Sequence, residues 1–139
     1  MKTYTCTHLI KSEDLNHHGT LYAGRMAEWF VEASFVAAAG LHGNPADIVC
    51  IKIHGMKFPT PVSKGSLLFL YSKVVYAGTT SLTVYTTSTG TDESKKLTNG
   101  FVSFVCVDHE GKKKAHGIVI PRPDDESEAK LWDIAKDLR

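Results

Sequence analysis

Tyr22-Ala23-Gly24-Arg25-Met26-Ala27-Glu28-Trp29-Phe30-Val31-Glu32-Ala33-Ser34-Phe35-Val36-Ala37-Ala38-Ala39 is the one long helical pattern in the first half of the chain. Ala23, Met26, Ala27, Phe30, Ser34, Ala37 and Leu41 recur at three- and four-residue spacing, so one face carries a stripe of small and apolar side chains. Small side chains let a helix lie close against a sheet, and Gly40 and Gly43 supply its stop. Upstream, Tyr4 to Ile10 reads as a short strand, and the polar stretch Lys11 to Asn16 leads into the helix. After Pro45 the texture changes to strands: Ile48 to Phe58, Leu67 to Ala77, Ser81 to Thr89, Leu97 to Val107 and a shorter Ala115 to Ile120, punctuated by Gly, Pro and Asn. Strands of roughly ten residues are long for so small a domain and favour a strongly curved antiparallel sheet. The expected class is therefore α+β, a long helix wrapped by a curved antiparallel sheet. Between an acidic start and a basic end, Leu131, Ile134, Ala135 and Leu138 add a peripheral C-terminal helix over about 124–138.

The chain has 139 residues, enough for one domain (1–139, core about 3–120) and too few for a second. Sixteen basic residues against fifteen acidic give a net charge of +1, so nothing global selects for nucleic acid or an anionic membrane. Thr, Tyr, Cys and His interrupt the first ten residues where a signal peptide needs an apolar run, and no stretch reaches spanning length, so a cytoplasmic location is expected. Cys6, Cys50 and Cys106 lie far apart without CxxC or metal spacing, and are expected to be buried, reduced strand residues. His17 and His18 are adjacent and have no second ligand at usable spacing, so no metal is expected.

Three segments carry a family resemblance. Asp14-Leu15-Asn16-His17-His18-Gly19-Thr20-Leu21-Tyr22-Ala23-Gly24-Arg25 resembles the helix-start motif of hotdog-fold acyl-CoA thioesterases, the brain-type cytosolic acyl-CoA hydrolases and their bacterial relatives. Ile53-His54-Gly55-Met56-Lys57-Phe58-Pro59-Thr60-Pro61-Val62-Ser63-Lys64-Gly65 resembles their next segment, and Ala77-Gly78-Thr79-Thr80-Ser81 their following hairpin turn. The three occur in the family's order across about residues 8 to 120. The resemblance implies a hotdog fold, acyl-CoA as substrate, no cofactor beyond the coenzyme A of the substrate, and active sites between two subunits. A homodimer pairing two sheets edge to edge is the expected minimum, with tetramers and hexamers open.

The same residues have a physical reading. Gly19 and Gly24 permit close approach of the backbone, and the helix start after them offers unpaired N–H donors at the positive end of a dipole. Fixed donors of this kind help most as a thioester oxygen gains negative charge. By resemblance to the hydroxybenzoyl-CoA branch those donors are Ala23 or Gly24; the plainer reading is that both glycines only shape a turn. The acids expected from the resemblance are missing: the brain-type Asp aligns with Val31, and the hydroxybenzoyl-CoA branch has Asp where this chain has Asn16. Glu28 and Glu32 remain on the helix. At about 100° per residue Glu28 lies about 60° beyond Val31 and Glu32 about 100°, which favours Glu28 as the carboxylate that activates water. Thr20 and Glu28 also resemble, in their spacing of eight, the catalytic Thr and Glu of fluoroacetyl-CoA thioesterases, whose His falls one residue from His54. Asn16 is expected to orient water or the thioester, or else simply to form the turn. For coenzyme A, Lys57, Lys64 and Lys112-Lys113-Lys114 are basic candidates, and Thr79, Thr80 and Ser81 are candidates for the pantetheine arm. Two competing functions are a hotdog enoyl-CoA hydratase, of whose motif Asp14 and Asn16 match only the first half, and an acyl-CoA binding or sensing domain without hydrolysis.

Overall fold

The striped segment forms α1, Ala23–His42, and everything else is arranged around it. The structure, a computed structural model, describes residues 1–92 and 94–138. Five strands, β1 (Tyr4–Leu9), β2 (Ile48–Ile53), β3 (Leu67–Ala77), β4 (Ser81–Thr89) and β5 (Lys96–Cys106), make one antiparallel sheet in the order β1-β3-β4-β5-β2. A second helix, α2 (Glu126–Asp137), follows near the C-terminus. Register shifts in β2 between Cys50 and Lys52 and between β3 and β4 at Val74/Tyr76 bend the sheet, so that its concave face can hold α1.

The stripe explains the close packing. Phe30, Ala37 and Ala38 are fully buried against Val74, Leu82, Val84, Val102 and Phe104. Burial of a ring such as Phe30 contributes on the order of 2–3 kcal/mol. Ser34, the polar member of the stripe, is satisfied twice: its hydroxyl donates to Phe30 O at 2.8 Å and shares a 2.7 Å hydrogen bond with Thr86 Oγ1. Gly100 on β5 is required here, because a Cβ would meet the Phe30 ring at 3.2 Å and Gly55 O at 2.4 Å. At the far end Gly43 adopts φ 95° and returns its N–H to Ala39 O at 2.8 Å, the left-handed cap expected of it. Gly40 lies inside α1, under the ring of Tyr4.

Several expectations are corrected. The strand expected over Ile48 to Phe58 stops at Ile53, because Gly55 turns to φ 113° and Pro59 and Pro61 cannot donate to a ladder. Ala115 to Ile120 is not a strand: Gly117 at φ 72° breaks it, and His116 instead bonds the β3–β4 turn through its N–H to Thr79 O at 3.3 Å and its Nε2 to Ser81 O at 2.9 Å. Cys106 is buried and Cys6 half-buried as expected, but Cys50 is exposed on edge strand β2. Trp29, away from the main stripe, is covered within its own chain by the His8 ring of β1, stacked at 4.0 Å. Val36, also off that stripe, stays 38% exposed.

α2 begins on Asp125, whose carboxylate accepts from Glu128 N at 2.9 Å, and it lies on the convex side of β3, with Trp132 edge-on to Tyr76 and bonded through Nε1 to Ile120 O. Among the described residues no helix is long and apolar enough to cross a membrane.

Candidate active site

The approach to α1 is a tight loop pinned on both sides. Asn16 N–H donates to Thr20 O at 2.8 Å and Gly19, at φ 83°, donates to Asn16 O at 3.1 Å. The Asn16 carboxamide braces the same loop: Oδ1 accepts from His18 N at 2.8 Å and Thr20 N at 3.3 Å, and Nδ2 donates to Thr20 Oγ1 at 3.2 Å. These bonds make Asn16 the brace of the turn. It forms the turn, and its second Nδ2 hydrogen is left over. Leu21 N–H donates to Val62 O at 2.8 Å and Tyr22 N–H to Asp14 O at 2.8 Å, which fixes where the helix begins.

That beginning has no side-chain cap. Tyr22 O accepts from Arg25 and Met26, and among the described residues nothing accepts from the N–H groups of Ala23 and Gly24. Ala23 borders a groove of about 210 Å³ lined also by Asn16, Thr20, Met26, Phe58 and Thr60, with Leu97 of β5 at one wall. The Tyr22 ring, 57% exposed, lies over Gly24. Donors, groove and loop are thus brought together as the sequence implied. Phe58 and Thr60 were not singled out as lining residues, although they stand inside the second matched segment.

Among the described residues no acid lines the groove. Glu28 is exposed and its carboxylate lies 3.7 Å from Arg25 Nη1, while Arg25 Nε lies 3.5 Å from the buried Asp14. Asp14, 4% exposed, also accepts from Lys11 N at 2.9 Å, so it anchors the loop from beneath. Glu32 is exposed one turn further along, close enough to β1 for its charge to act on Cys6 and His8. Val31 is half-buried against the core.

The substrate-binding candidates divide. Lys57 and Lys64 are exposed on the segment that walls the groove, and Ser63 pairs with Thr20 across an isolated bridge. His54 points elsewhere: its Nε2 meets Ser103 Oγ at 2.7 Å, and burial, then the charge of Lys52, lowers its pKa. Thr79, Thr80 and Ser81 lie beyond the opposite end of β3, a strand of eleven residues and so roughly 30 Å or more from the groove of the same chain. Thr79 borders a separate cleft of about 440 Å³ that includes Gly78, His116 and Trp132, whereas Thr80 and Ser81 do not line it. Of the lysine run, Lys112 pairs with Glu110 and Lys114 with Asp47, away from the groove. The rings of His17 and His18 lie 3.9 Å apart, tilted by 42°.

The family profile of the thioesterase superfamily matches residues 18–88. The chain is 28% identical over 115 residues to the acyl-CoA thioester hydrolase YciA of Escherichia coli K12, which covers 77% of this chain and 85% of that protein. It superposes with TM-score 0.83 and 25% identity on an acyl-CoA hydrolase of Staphylococcus aureus in complex with butyryl coenzyme A, coenzyme A and coenzyme A disulfide, over 97% of this chain and 82% of that one. Ala variants of that hydrolase at an Asn, and at an Asp fifteen positions later, share the fold. An apo-hexameric acyl-CoA thioesterase matches with TM-score 0.82 and 25% identity, over 97% of this chain and 86% of that one. The wrapped helix is the hotdog arrangement these structures share, the profile spans half of the chain, and the chain belongs to the thioesterase superfamily.

Proposed function

We propose that the protein hydrolyses acyl-CoA thioesters, with the thioester carbonyl seated at the N-terminal end of α1. The observation that carries this is the uncapped helix start opening on a groove braced by Asn16. The N–H of Ala23 or Gly24 stabilises the oxygen as negative charge develops on it, and a donor of this type is worth about 3–4 kcal/mol of barrier. Asn16, through its remaining amide hydrogen, holds water or the carbonyl. Water adds to the carbonyl carbon as a carboxylate takes its proton, and collapse of the tetrahedral species expels the coenzyme A thiolate, leaving the free acid.

The carboxylate is Glu28 or, failing it, Glu32. The Asn and Asp replaced in the Staphylococcus aureus variants are separated by the same fifteen positions as Asn16 and Val31, which supports the view that the usual acid position is apolar here. Glu28 is one turn before Val31, exposed, and restrained only by a long contact to Arg25. A glutamate on the exposed helix face reaches a groove most directly when two chains meet. β2 offers the edge for that meeting: Val49, Ile51 and Ile53 are 45%, 56% and 44% exposed, an apolar row unusual on an edge strand. A homodimer formed at this edge is part of the proposal; assemblies of four or six chains are compatible with it. Lys57 and Lys64 supply positive charge at the groove mouth for coenzyme A phosphates. Thr79, Thr80 and Ser81 meet the pantetheine arm only if a second chain brings them near.

The test is thiol release from butyryl-CoA and a panel of longer acyl-CoAs, with coenzyme A binding measured in parallel. Glu28→Gln should lose turnover and keep binding; retained turnover with loss in Glu32→Gln moves the role to Glu32. The absence of any acid from the groove among the described residues favours a second reading, an acyl-CoA sensing domain. Tight binding by the unmodified protein with no thiol released across the panel would establish that reading instead.

A further inference from the structure

The C-terminal end of α1 holds a side-chain cluster for which thioester hydrolysis has no use. His42 closes α1, Asp47 closes the 3-10 turn Pro45–Asp47 that leads into β2, and Cys106 closes β5. One ligand atom from each lies within 4.8 Å of the others. His42 Nε2 stands 2.9 Å from Asp47 Oδ2 and 3.8 Å from Cys106 Sγ. A ring nitrogen is either an N–H or a lone pair: as a donor it serves the carboxylate and offers the thiol little, and as an acceptor it faces a carboxylate oxygen with nothing between them. A cation placed among the three serves all of them at once.

We propose that His42, Asp47 and Cys106 bind one divalent cation of the zinc class. Imidazole, carboxylate and thiolate together suit zinc. The separations of 2.9 and 3.8 Å bracket the roughly 3.3–3.6 Å expected between donors on a tetrahedral zinc, and the third edge, from Asp47 to Cys106, is within 4.8 Å. Cys106 is fully buried, whereas the side chains of His42 and Asp47 are 12% and 18% exposed, which gives the ion a way in and leaves a fourth position for water. Binding replaces the thiol proton: the Cys106 S–H bond breaks, a sulfur–metal bond forms, and the proton leaves to solvent with no change of oxidation state. Lys114 is the built-in competitor, its Nζ lying 3.1 Å from Asp47 Oδ2 on a side chain that is 43% exposed and free to swing away. The ion ties the end of α1 to β5 and to the turn before edge strand β2. Positions 42, 47 and 106 come from three separate elements, which is why no local ligand spacing announced them.

The full chain, reduced and stripped with a chelator, is titrated with Zn²⁺ against a chromogenic chelator, and with Co²⁺ followed by absorption. One equivalent of Zn²⁺ per chain is expected, and a near-ultraviolet thiolate-to-cobalt band that Cys106→Ser removes and Cys50→Ser leaves. Lys114→Met should tighten zinc binding by about two- to fivefold, the scale of an exposed ion pair. His42→Gln, at a partly exposed side chain, provides a second arm if Cys106→Ser fails to fold, and should weaken zinc binding at least tenfold. No zinc uptake by the unmodified chain, a cobalt band that survives Cys106→Ser, undiminished affinity in His42→Gln, or weaker binding in Lys114→Met would each overturn the site.

Discussion

At its N-terminal end α1 starts on Tyr22 without a side-chain cap, and Ala23, the first residue with a free N–H, borders a groove; at its C-terminal end Gly43 turns left-handed and closes its own hydrogen bond to Ala39, with His42 and Asp47 joined beside it. The same helix thus leaves donors unpaired at one end and satisfies its acceptors at the other. An unpaired donor bordering water costs the fold little and is ready for a ligand, whereas a closed cap contributes to stability and leaves no backbone donor for a substrate. Substitutions at the first end should therefore act on activity, and those at the second on stability.

Ala23→Pro gives the largest expected effect. Ala23 is the first helical residue, its N–H is unused within the fold, and Tyr22 before it is already extended at ψ 127°, so proline is accommodated without strain. If Ala23 is the oxyanion donor, kcat for butyryl-CoA falls by about 10²–10³, or roughly 3–4 kcal/mol, with the unfolding midpoint unchanged. Full activity in Ala23→Pro would leave Gly24 as the donor. Gly43→Ala is the opposite kind of change. A side chain at φ 95° costs about 1 kcal/mol, read as a lower denaturant midpoint, and steady-state turnover should not move. A loss of turnover there would show that the two ends are coupled and break the contrast.

The fold was largely legible because its two periodicities are clean. The small-residue stripe of α1 and the long strands β3, β4 and β5 depend on spacing that burial enforces everywhere. Ala115 to Ile120 has strand-like residues, but one glycine at positive φ and two following prolines, Pro121 and Pro123, prevent pairing. At the site, the loop glycine and helix start were readable from motif and capping logic. Asp14 was not: within a polar run nothing distinguishes a buried anchor from a solvated acid, and its burial depends on Arg25 and Lys11 folding around it. Nor does a helical wheel state what stands opposite a side chain. Trp29, apparently unpartnered, is covered by His8, a residue brought across by a strand that pairs with β3.

The smallest effect separates Glu28 from Glu32 along the flank of the same helix. Burial lowers the pKa of His8, and the charges of Glu32 and then Asp14 pull it partly back up. A depressed histidine favours the neutral ring in the fold, so this contact costs nothing above the ordinary histidine pKa of about 6.5. Stability is lost as pH falls below that value, and the loss levels off once pH passes under the folded pKa. The stacked Trp29 ring provides the readout, since Trp132→Phe leaves it the sole tryptophan of the two in the chain. Its fluorescence should titrate with a midpoint below about 6.5, and His8→Gln should abolish the step. Glu32→Gln removes a charge that favours protonation and should move the midpoint lower still, whereas Glu28→Gln, paired to Arg25 on the groove side, should leave it in place. A midpoint that ignores Glu32→Gln would mean that Glu32 does not face β1. It would then be as available to the groove as Glu28, and the choice between them would rest on turnover alone.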